Sequence, residues 1–410
     1  MRIWKWLATI ALGATLTLGG NFAEAQKKPV PAKTTKKPVK KPVKKTVKKP
    51  IPKKTTKKPT SSGPAAPAYV PKYTPSEVKP QIPVPAADEI VIMGTGDIML
   101  GSTFPDTSGG SLPKDDGANV LKEVAPYLLA ADIAFGNLEG PLTDGGSTGK
   151  CSAKSTRCYA FRVPTRFGKN LKDAGYDIMS LANNHASDFG IEGRKTTIKT
   201  LDDLGIAHSG EVGDIARMVI KGKKVSLIAF ANYGVSYNMN NIEAAVEYVK
   251  EEVAKADIVI VSFHGGGEGA SRQHVVEGTE TFLGENRGDL RKFSRAVIDA
   301  GADLVLGHGP HVMRGIEIYN DRLIAYSLGN FATYGGMNLT GPSGLTAILE
   351  VRLNLDGSFK IGQLHPAKQF RPGGPVLDPA GEVIPVMQGL TKTDFPTSGA
   401  KIGDDGSISK

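Results

Sequence analysis

Eight side chains able to hold a metal or move a proton stand where short apolar runs stop: Asp97, Glu139, Asn184, His185, His264, His308, His311 and Asn330. The runs read EIVIMGTGD, DIAFGNLE, DIMSLANNH, DIVIVSFH, DLVLGHGPH and LIAYSLGNF. Carboxylates and neutral imidazoles together form the mixed oxygen and nitrogen donor set of a divalent transition metal. Such a set suits a hydrolytic metal centre better than a nucleotide crevice. His308 and His311, separated by a glycine and a proline, can converge on one centre. His185, beside Asn184, is placed to protonate a leaving oxygen while a metal activates water and neutralises charge. Glu268 follows His264 across three glycines and reads as a residue orienting that imidazole.

The elements that must position these residues are legible in the same runs. Short, nearly continuous apolar stretches alternating with helical ones are strands covered on both faces. Ligands of open α/β sheets lie beyond the carboxyl ends of such strands, so the edge of one sheet is expected to gather the set. Helical periodicity occupies ANVLKEVAPYLLAA, TRFGKNLKDAG, EGRKTTIKTLDDLG, NIEAAVEYVKEEVAKA and DLRKFSRAVIDAG, several closing on glycine. MVIKGKKVSLIAFANYG predicts a hairpin turning at Lys221, Gly222 and Lys223. After residue 312 strands and turns follow one another, with a turn at Asp356 and Gly357. From about residue 371 the chain is weakly patterned and rich in Pro and Gly, so residues 371–410 read as an extension of a domain spanning 88–370. His208, His274 and His365 fall outside the pattern and are expected in packing or surface roles. Asp144, Asp188 and Asp303 read as turn or helix-cap residues.

Two letter matches are rejected. Gly94-Thr95-Gly96 begins a dinucleotide fingerprint, but Met99 stands where its third glycine belongs and Asp97 would face a pyrophosphate. The run from Gly145 to Gly149 spells G-x-S-x-G without the strand and helix of a nucleophile elbow.

The N-terminal part is a different material. Residues 1–25 have the form of an export signal: Arg2 and Lys5, an apolar stretch from Trp6 to Gly20, and an Ala23-Glu24-Ala25 cleavage site. The expected location is the cell surface, periplasm or wall, and retention of the signal as a membrane anchor is the alternative. Residues 26–87 repeat Lys-Lys-Pro and hold almost no large apolar side chains, the composition of a disordered, extended linker. Such an arm either clings to anionic wall polymers or lipids, or is simply a solvated stalk. Export makes nucleic acid a poor partner. Residues 1–87 contain 19 basic and 2 acidic residues, a net of +17, and the whole chain is +10; residues 88–410 therefore carry −7. The folded part is acidic, and at about 320 residues it can hold one large core. The only cysteines, Cys151 and Cys158, are expected to pair as a disulfide in an exported protein.

Seven motifs in order, GDIMLG (96–101), GNLEGPLTD (136–144), LANNHASDFG (181–190), HGGGE (264–268), GENRGDL (284–290), GHGPHV (307–312) and YSLGNF (326–331), resemble the bacterial capsule-synthesis CapA family. That family is associated with poly-γ-glutamate capsules and has a calcineurin-like metallophosphoesterase fold. The resemblance covers about residues 89–335. It implies a four-layer α/β sandwich, with Asp97, Glu139, Asn184, His264, His308 and His311 as ligands of one or two divalent ions (Mn, Zn or Fe). It also implies His185 as the acid, with Asn137, Glu268 and Asn330 supporting the site or touching substrate. The implied role is capsule or surface-polymer biosynthesis, with membrane capsule-synthesis proteins and an anionic polymer as partners. A stand-alone exported phosphoesterase and a wall-bound module with a degenerate site are the alternatives. Departures from the pattern matter. Met99 replaces the histidine of the D-x-H motif, and Asn137 stands where an Asp is usual, which points to one tight ion and a weaker second. Gly265 and Gly309 replace bulkier residues, which implies an open pocket.

Overall fold

The computed structural model describes residue 82 and residues 84–105, 110–151 and 158–410. The expected export signal and nearly all of the basic arm lie outside the described residues.

Strand β1 (Glu89–Met99) begins the fold, and β2 (Ile133–Leu138), β3 (Ile178–Ser180) and β4 (Ala207–Ser209) add beside it in parallel. Helices α1 (Ala125–Leu129), α2 (Gly168–Ala174) and α3 (Gly190–Leu204) carry the returns. A second sheet starts with the hairpin of β5 (Ala216–Ile220) and β6 (Lys223–Ala231), which turns at Lys221 and Gly222 as expected. Next come β7 (Tyr237–Asn238), α4 (Ile242–Val253) and β8 (Ile258–His264). A separate small hairpin, β9 (Glu280–Phe282) and β10 (Glu285–Gly288), precedes α5 (Leu290–Asp299) and β11 (Leu304–His308). Strands β12 (Ile316–Tyr319) and β13 (Arg322–Ala325) complete the second sheet, in the order β12-β13-β11-β8-β6-β5. The chain then returns to the first sheet through β14 (Asn330–Thr333), β15 (Leu345–Asn354) and β16 (Phe359–Gln369).

The two sheets pack face to face. Ile90, Ile92 and Phe135 from the first meet Leu227, Ile260 and Leu306 from the second in one fully buried layer. Alternate residues of the same strands point the other way: Val91 and Met93 lie under Phe167, Leu171 and Leu201, while Val259, Val261 and Val305 lie under Val249, Phe293 and Val297. Each strand is thus apolar on both faces, which is why its sequence is a continuous run. The result is a four-layer α/β sandwich.

Three expectations are corrected. The polar strand ends come from two sheets rather than one: β1, β2 and β3 belong to the first, β8 and β11 to the second. Asn330 opens β14 instead of ending a strand, because LIAYSLGNF breaks after Ala325. The helix expected over ANVLKEVAPYLLAA shrinks to Ala125–Leu129; a helix cannot run cleanly into Pro126, which lacks an N–H and restricts the residue before it. The weakly patterned tail is also structured. It forms β17 (Pro375–Leu377), α6 (Val383–Asp394), β18 (Lys401–Ile402) and β19 (Ser407–Ser409), and Val383, Met387 and Ile408 join the core between the sheets. The strands are two or three residues long, too short for a visible period, and Pro385 and Gly389 interrupt the apolar positions Val383, Ile384, Met387 and Leu390 of α6.

Candidate metal centre

At the shared edge, register sets the side chains abreast. Asp97 of β1 pairs with Asn137 of β2 on one side and Asn330 of β14 on the other. Across the cleft, His264 of β8 pairs with His308 of β11. Both partners of β1 shift register at Asp97, a bulge that re-aims its carboxylate. Gly96 makes this possible. A Cβ there would lie 2.0 Å from the Gly329 carbonyl oxygen, and the same carbonyl accepts the Asp97 N–H at 2.8 Å.

Glu139, just past β2, is completely buried, and neither carboxylate oxygen has a hydrogen-bond partner among the described residues. Its Oε1 faces three imidazole nitrogens: His311 Nε2 at 3.5 Å, His264 Nε2 at 3.8 Å and His185 Nε2 at 4.0 Å. These gaps are too long for hydrogen bonds and have the size left when donor atoms point at a common cation. Donor atoms of Asp97, Glu139 and His311 all lie within 4.8 Å of one another. The Asn184 Oδ1 and His308 Nδ1 atoms are likewise buried without partners.

Tautomers follow from what the other ring nitrogens touch. His308 Nε2 meets the Thr95 carbonyl at 3.0 Å and must donate, leaving Nδ1 as a free lone pair. His311 Nδ1 lies 2.9 Å from Asp97 Oδ2 and His185 Nδ1 lies 2.7 Å from Asp188 Oδ2, so both present Nε2 to the centre. His264 differs. The Asn137 amide nitrogen lies 3.3 Å from its Nδ1, and the Asn183 amide fixes Asn137 in that orientation. His264 therefore carries its proton on Nε2, and ligation through that atom requires the Asn137 contact to be given up. It is the weakest fit of the set. The others suit a divalent cation: two carboxylates, an amide oxygen, and imidazoles each fixed from behind by a carboxylate or carbonyl.

The charges are strongly coupled. Burial lifts Glu139 well above the usual carboxylate range, and the Asp97 charge adds to this. Burial also acts against Asp97, but the hydrogen bond and charge of His311 bring it down to about 2. Burial opposes the charged form of His311, yet the charges of Glu139 and Asp97 outweigh it and raise it to about 10. Burial holds His264 well below its ordinary value and lowers His308 and His185.

A cleft of about 700 Å³ opens onto this cluster, bordered by Lys150, Asn184, His185, Glu268, Arg287, His311 and Asn330 with aromatic walls from Tyr159, Phe161, Tyr233 and Phe282. The Asn330 amide braces the rim by donating to the His311, Asn338 and Ser343 carbonyls. Glu268 does not orient His264: it pairs with Arg287 at 2.9 Å, and Asn137 takes the place expected for it. Gly265 and Gly309 do not open the pocket. A Cβ on Gly309 would lie 2.5 Å from the Gly265 carbonyl oxygen, so the two glycines let their loops close on each other.

Sequence reasoning missed two participants. Asp188, read as a cap, is buried and binds the His185 ring, the Phe161 N–H and Lys150 Nζ; the only available signal was its i,i+3 spacing from His185. Lys150 reaches Asp188 at 2.6 Å and the Asn184 carbonyl at 3.2 Å. It does so from the position just before the loop that the Cys151–Cys158 disulfide closes, the pairing expected of the two cysteines, and no local pattern announces it. His208, His274 and His365 lie away from the cluster, paired with Asp214, Asp394 and Glu350.

Comparison with known proteins supplies the family. The family described as "Bacterial capsule synthesis protein PGA_cap" matches residues 91–334. The PGA biosynthesis protein CapA of Bacillus subtilis (strain 168) is 27% identical over 302 residues, covering 69% of this chain and 73% of that protein. The capsule biosynthesis protein CapA of Bacillus anthracis is 28% identical over 295 residues, covering 64% and 67%. A solved 5′-nucleotidase precursor from Thermus thermophilus is similar with a TM-score of 0.36 at 13% identity, over 68% of this chain and 54% of that one, so the chain spans about half that protein's solved length. The matched segment runs from β1 through β14 and contains every residue of the cluster. The chain belongs to the bacterial capsule synthesis protein family PGA_cap.

Proposed function

We propose that this protein is an exported, metal-dependent factor of surface-polymer biosynthesis whose cleft acts on an anionic chain of the poly-γ-glutamate type. The observation that carries the proposal is the buried, unpartnered Glu139 carboxylate facing three imidazole nitrogens. Asp97, Glu139 and His311, with His308 Nδ1 and Asn184 Oδ1 nearby, would hold the ion, Mn, Zn or Fe. When bound, a divalent cation supplies charge neutralisation and activation of water. His185 Nε2 is the proton carrier at the cleft. Burial opposes the cationic form of the ring, and Lys150 adds to this, while Asp188 fixes the ring and favours that form; the balance lies below the ordinary imidazole value, so the ring does not hold a proton permanently. The Lys-Lys-Pro arm would keep the nascent polyanion or the wall close by charge, and membrane capsule-synthesis proteins would receive or deliver the polymer. Met99, fully buried where a further imidazole is usual, favours a second reading in which the site binds the polymer without turnover.

Elemental analysis of the full-length protein tests the metal. Asp97→Ala and His311→Ala are expected to retain at least about tenfold less metal than the unsubstituted protein and to abolish polymer output in cells, with folding intact by circular dichroism. Undiminished metal content and polymer output in both variants would sink the reading. A screen of phosphoester and γ-glutamyl substrates then separates turnover from binding.

Metal loading is also expected to be pH-dependent. His311, raised to about 10, holds a proton in the cation-free cluster at neutral pH, and the incoming ion must displace it. Affinity should therefore rise with pH up to about 10, with at least one proton released per ion, from His311 and from whatever fraction of Glu139 burial keeps protonated. Calorimetry in two buffers of different ionisation enthalpy reads the release directly, and a buffer-independent heat would contradict it.

A further inference from the structure

We infer that Arg287 is a carboxylate-recognising subsite of the cleft, an inference that rests on the reading of the cleft as the place where an anionic polymer is handled. Arg287 lies on β10, with its side chain only 2% exposed. One terminal nitrogen, Nη1, is engaged by Glu268 at 2.9 Å and more loosely by Glu285 at 3.6 Å. Nε and Nη2, the two donors of the opposite edge, have no hydrogen-bond partner among the described residues. Native proteins rarely leave buried donors unmatched. Two parallel N–H groups along one edge of a guanidinium fit the two oxygens of a planar anion.

Position favours a ligand that also reaches the metal cluster. The guanidinium lies 5.7 Å from the Tyr233 ring centroid and 5.9 Å from that of Phe282. The Tyr233 ring in turn meets His264 edge-on at 6.5 Å, so one aromatic ring separates the fork from the centre. The Arg287 charge is felt at both Glu139 and His264. Both free donors are covered, so the proposed contact requires a neighbouring side chain to turn aside.

Chemistry selects a carboxylate over a phosphate. Only one edge of the guanidinium is free, and Glu268 and Glu285 stand beside the other. These anions repel a phosphate dianion more strongly than a single carboxylate, and a tetrahedral group has oxygens this edge cannot serve. The hairpin between β9 and β10 adds an apolar contact. Leu283 at its tip is 88% exposed and has a φ of 49°, a left-handed conformation that side chains other than glycine seldom adopt. An isolated carboxylate flanked by methylene groups, repeated along a chain, matches a fork beside an apolar wall. A γ-linked glutamate chain has that chemistry.

The test titrates the full-length protein calorimetrically with a γ-linked glutamate trimer and, separately, with inorganic phosphate. Salt is held at about 150 mM, which screens the charge of the arm's lysines. Arg287→Met is expected to weaken trimer binding at least about tenfold, and Arg287→Lys nearly as much, because an ammonium cannot present the fork. Metal content and phosphate binding should stay unchanged in both. The inference is overturned if the trimer does not bind the unsubstituted protein, if Arg287→Lys binds it equally well, or if phosphate binding alone depends on Arg287. Should Arg287→Met fail to fold, Arg287→Lys, which keeps a cation beside Glu268, decides alone. Arg287-dependent trimer binding in a protein that holds no metal would defeat the metal reading and leave this one standing. Retained metal with trimer binding indifferent to Arg287 would do the reverse.

Discussion

Glu139→Gln is expected to make the cation-free protein more stable while depriving it of most of its metal. The Glu139 carboxylate is wholly buried, without a hydrogen-bond partner among the described residues, and its pKa is raised well above the ordinary value of 4.5. A carboxyl group raised in the folded state favours folding only where it is protonated in both states, below about pH 4.5. Above that pH the unfolded chain ionises freely, and folding must either bury the charge or take up a proton. The penalty grows as pH rises and persists at neutrality. Glutamine has nearly the same shape and no such penalty, so removal of the charge should stabilise the cation-free form at pH 7.5 by about 1–3 kcal/mol. Thermal unfolding in EDTA at several pH values measures this. The variant should melt higher at pH 7.5, and the difference should close as pH falls towards 4.5. Equal melting at pH 7.5 would mean that the carboxylate is not a strained metal-seeking group. Metal content should fall at least about tenfold in the same variant, because the oxygen facing three imidazoles is no longer an anion. A residue whose loss stabilises the fold and empties the site is retained for the site.

Much of this arrangement is written locally in the chain. Ile90 and Ile92 face one layer while Val91 and Met93 face the other, so β1 reads as an unbroken apolar run, and the run stops where the strand meets the cleft at Asp97. The same holds for β8 at His264 and β11 at His308. What local pattern cannot encode is which sheet a strand joins. The runs ending at Glu139 and His264 look alike, yet they lie in different sheets, because the hairpin at Lys221 and Gly222 starts a new one. Partners fixed by long-range contact are equally hidden. Lys150 meets Asp188 across 38 residues, held at the base of a disulfide loop. The replacement of Glu268 by Asn137 behind His264 depends on two strands of different sheets meeting. Glycine at 265 and 309 was legible as small, but only the packed loops reveal that smallness there serves close approach and not an opening.

Arg314→Met is expected to cost about 3–5 kcal/mol of stability, the typical consequence of stranding one member of a buried ion pair. Arg314 is fully buried and Glu280 is 4% exposed. Their side chains meet in two parallel contacts, Nη1 to Oε1 at 2.7 Å and Nη2 to Oε2 at 2.9 Å. The remaining donors reach the Arg272 and Gly267 carbonyls, and Glu280 also accepts the Gly267 N–H at 2.8 Å. One guanidinium thus ties together the loop after β8, strand β9 and the segment following His311. Methionine fills much of the volume but leaves the Glu280 carboxylate buried without its counter-charge. Urea unfolding should register the loss as a lower midpoint at unchanged slope. The double variant Arg314→Met/Glu280→Leu discriminates the cause, since exchanging both members for apolar groups is often neutral. It should recover most of the lost midpoint. Failure to recover would place the cost in the three carbonyl and amide contacts instead of the stranded charge. Recovery of stability should not restore trimer binding in full, because Arg287 stands on the strand paired with β9 and the tie between that hairpin and the loop after β8 is gone. Stability and cleft geometry would then separate in a single pair of variants, as they must if the buried pair holds the hairpin in place over the metal cluster.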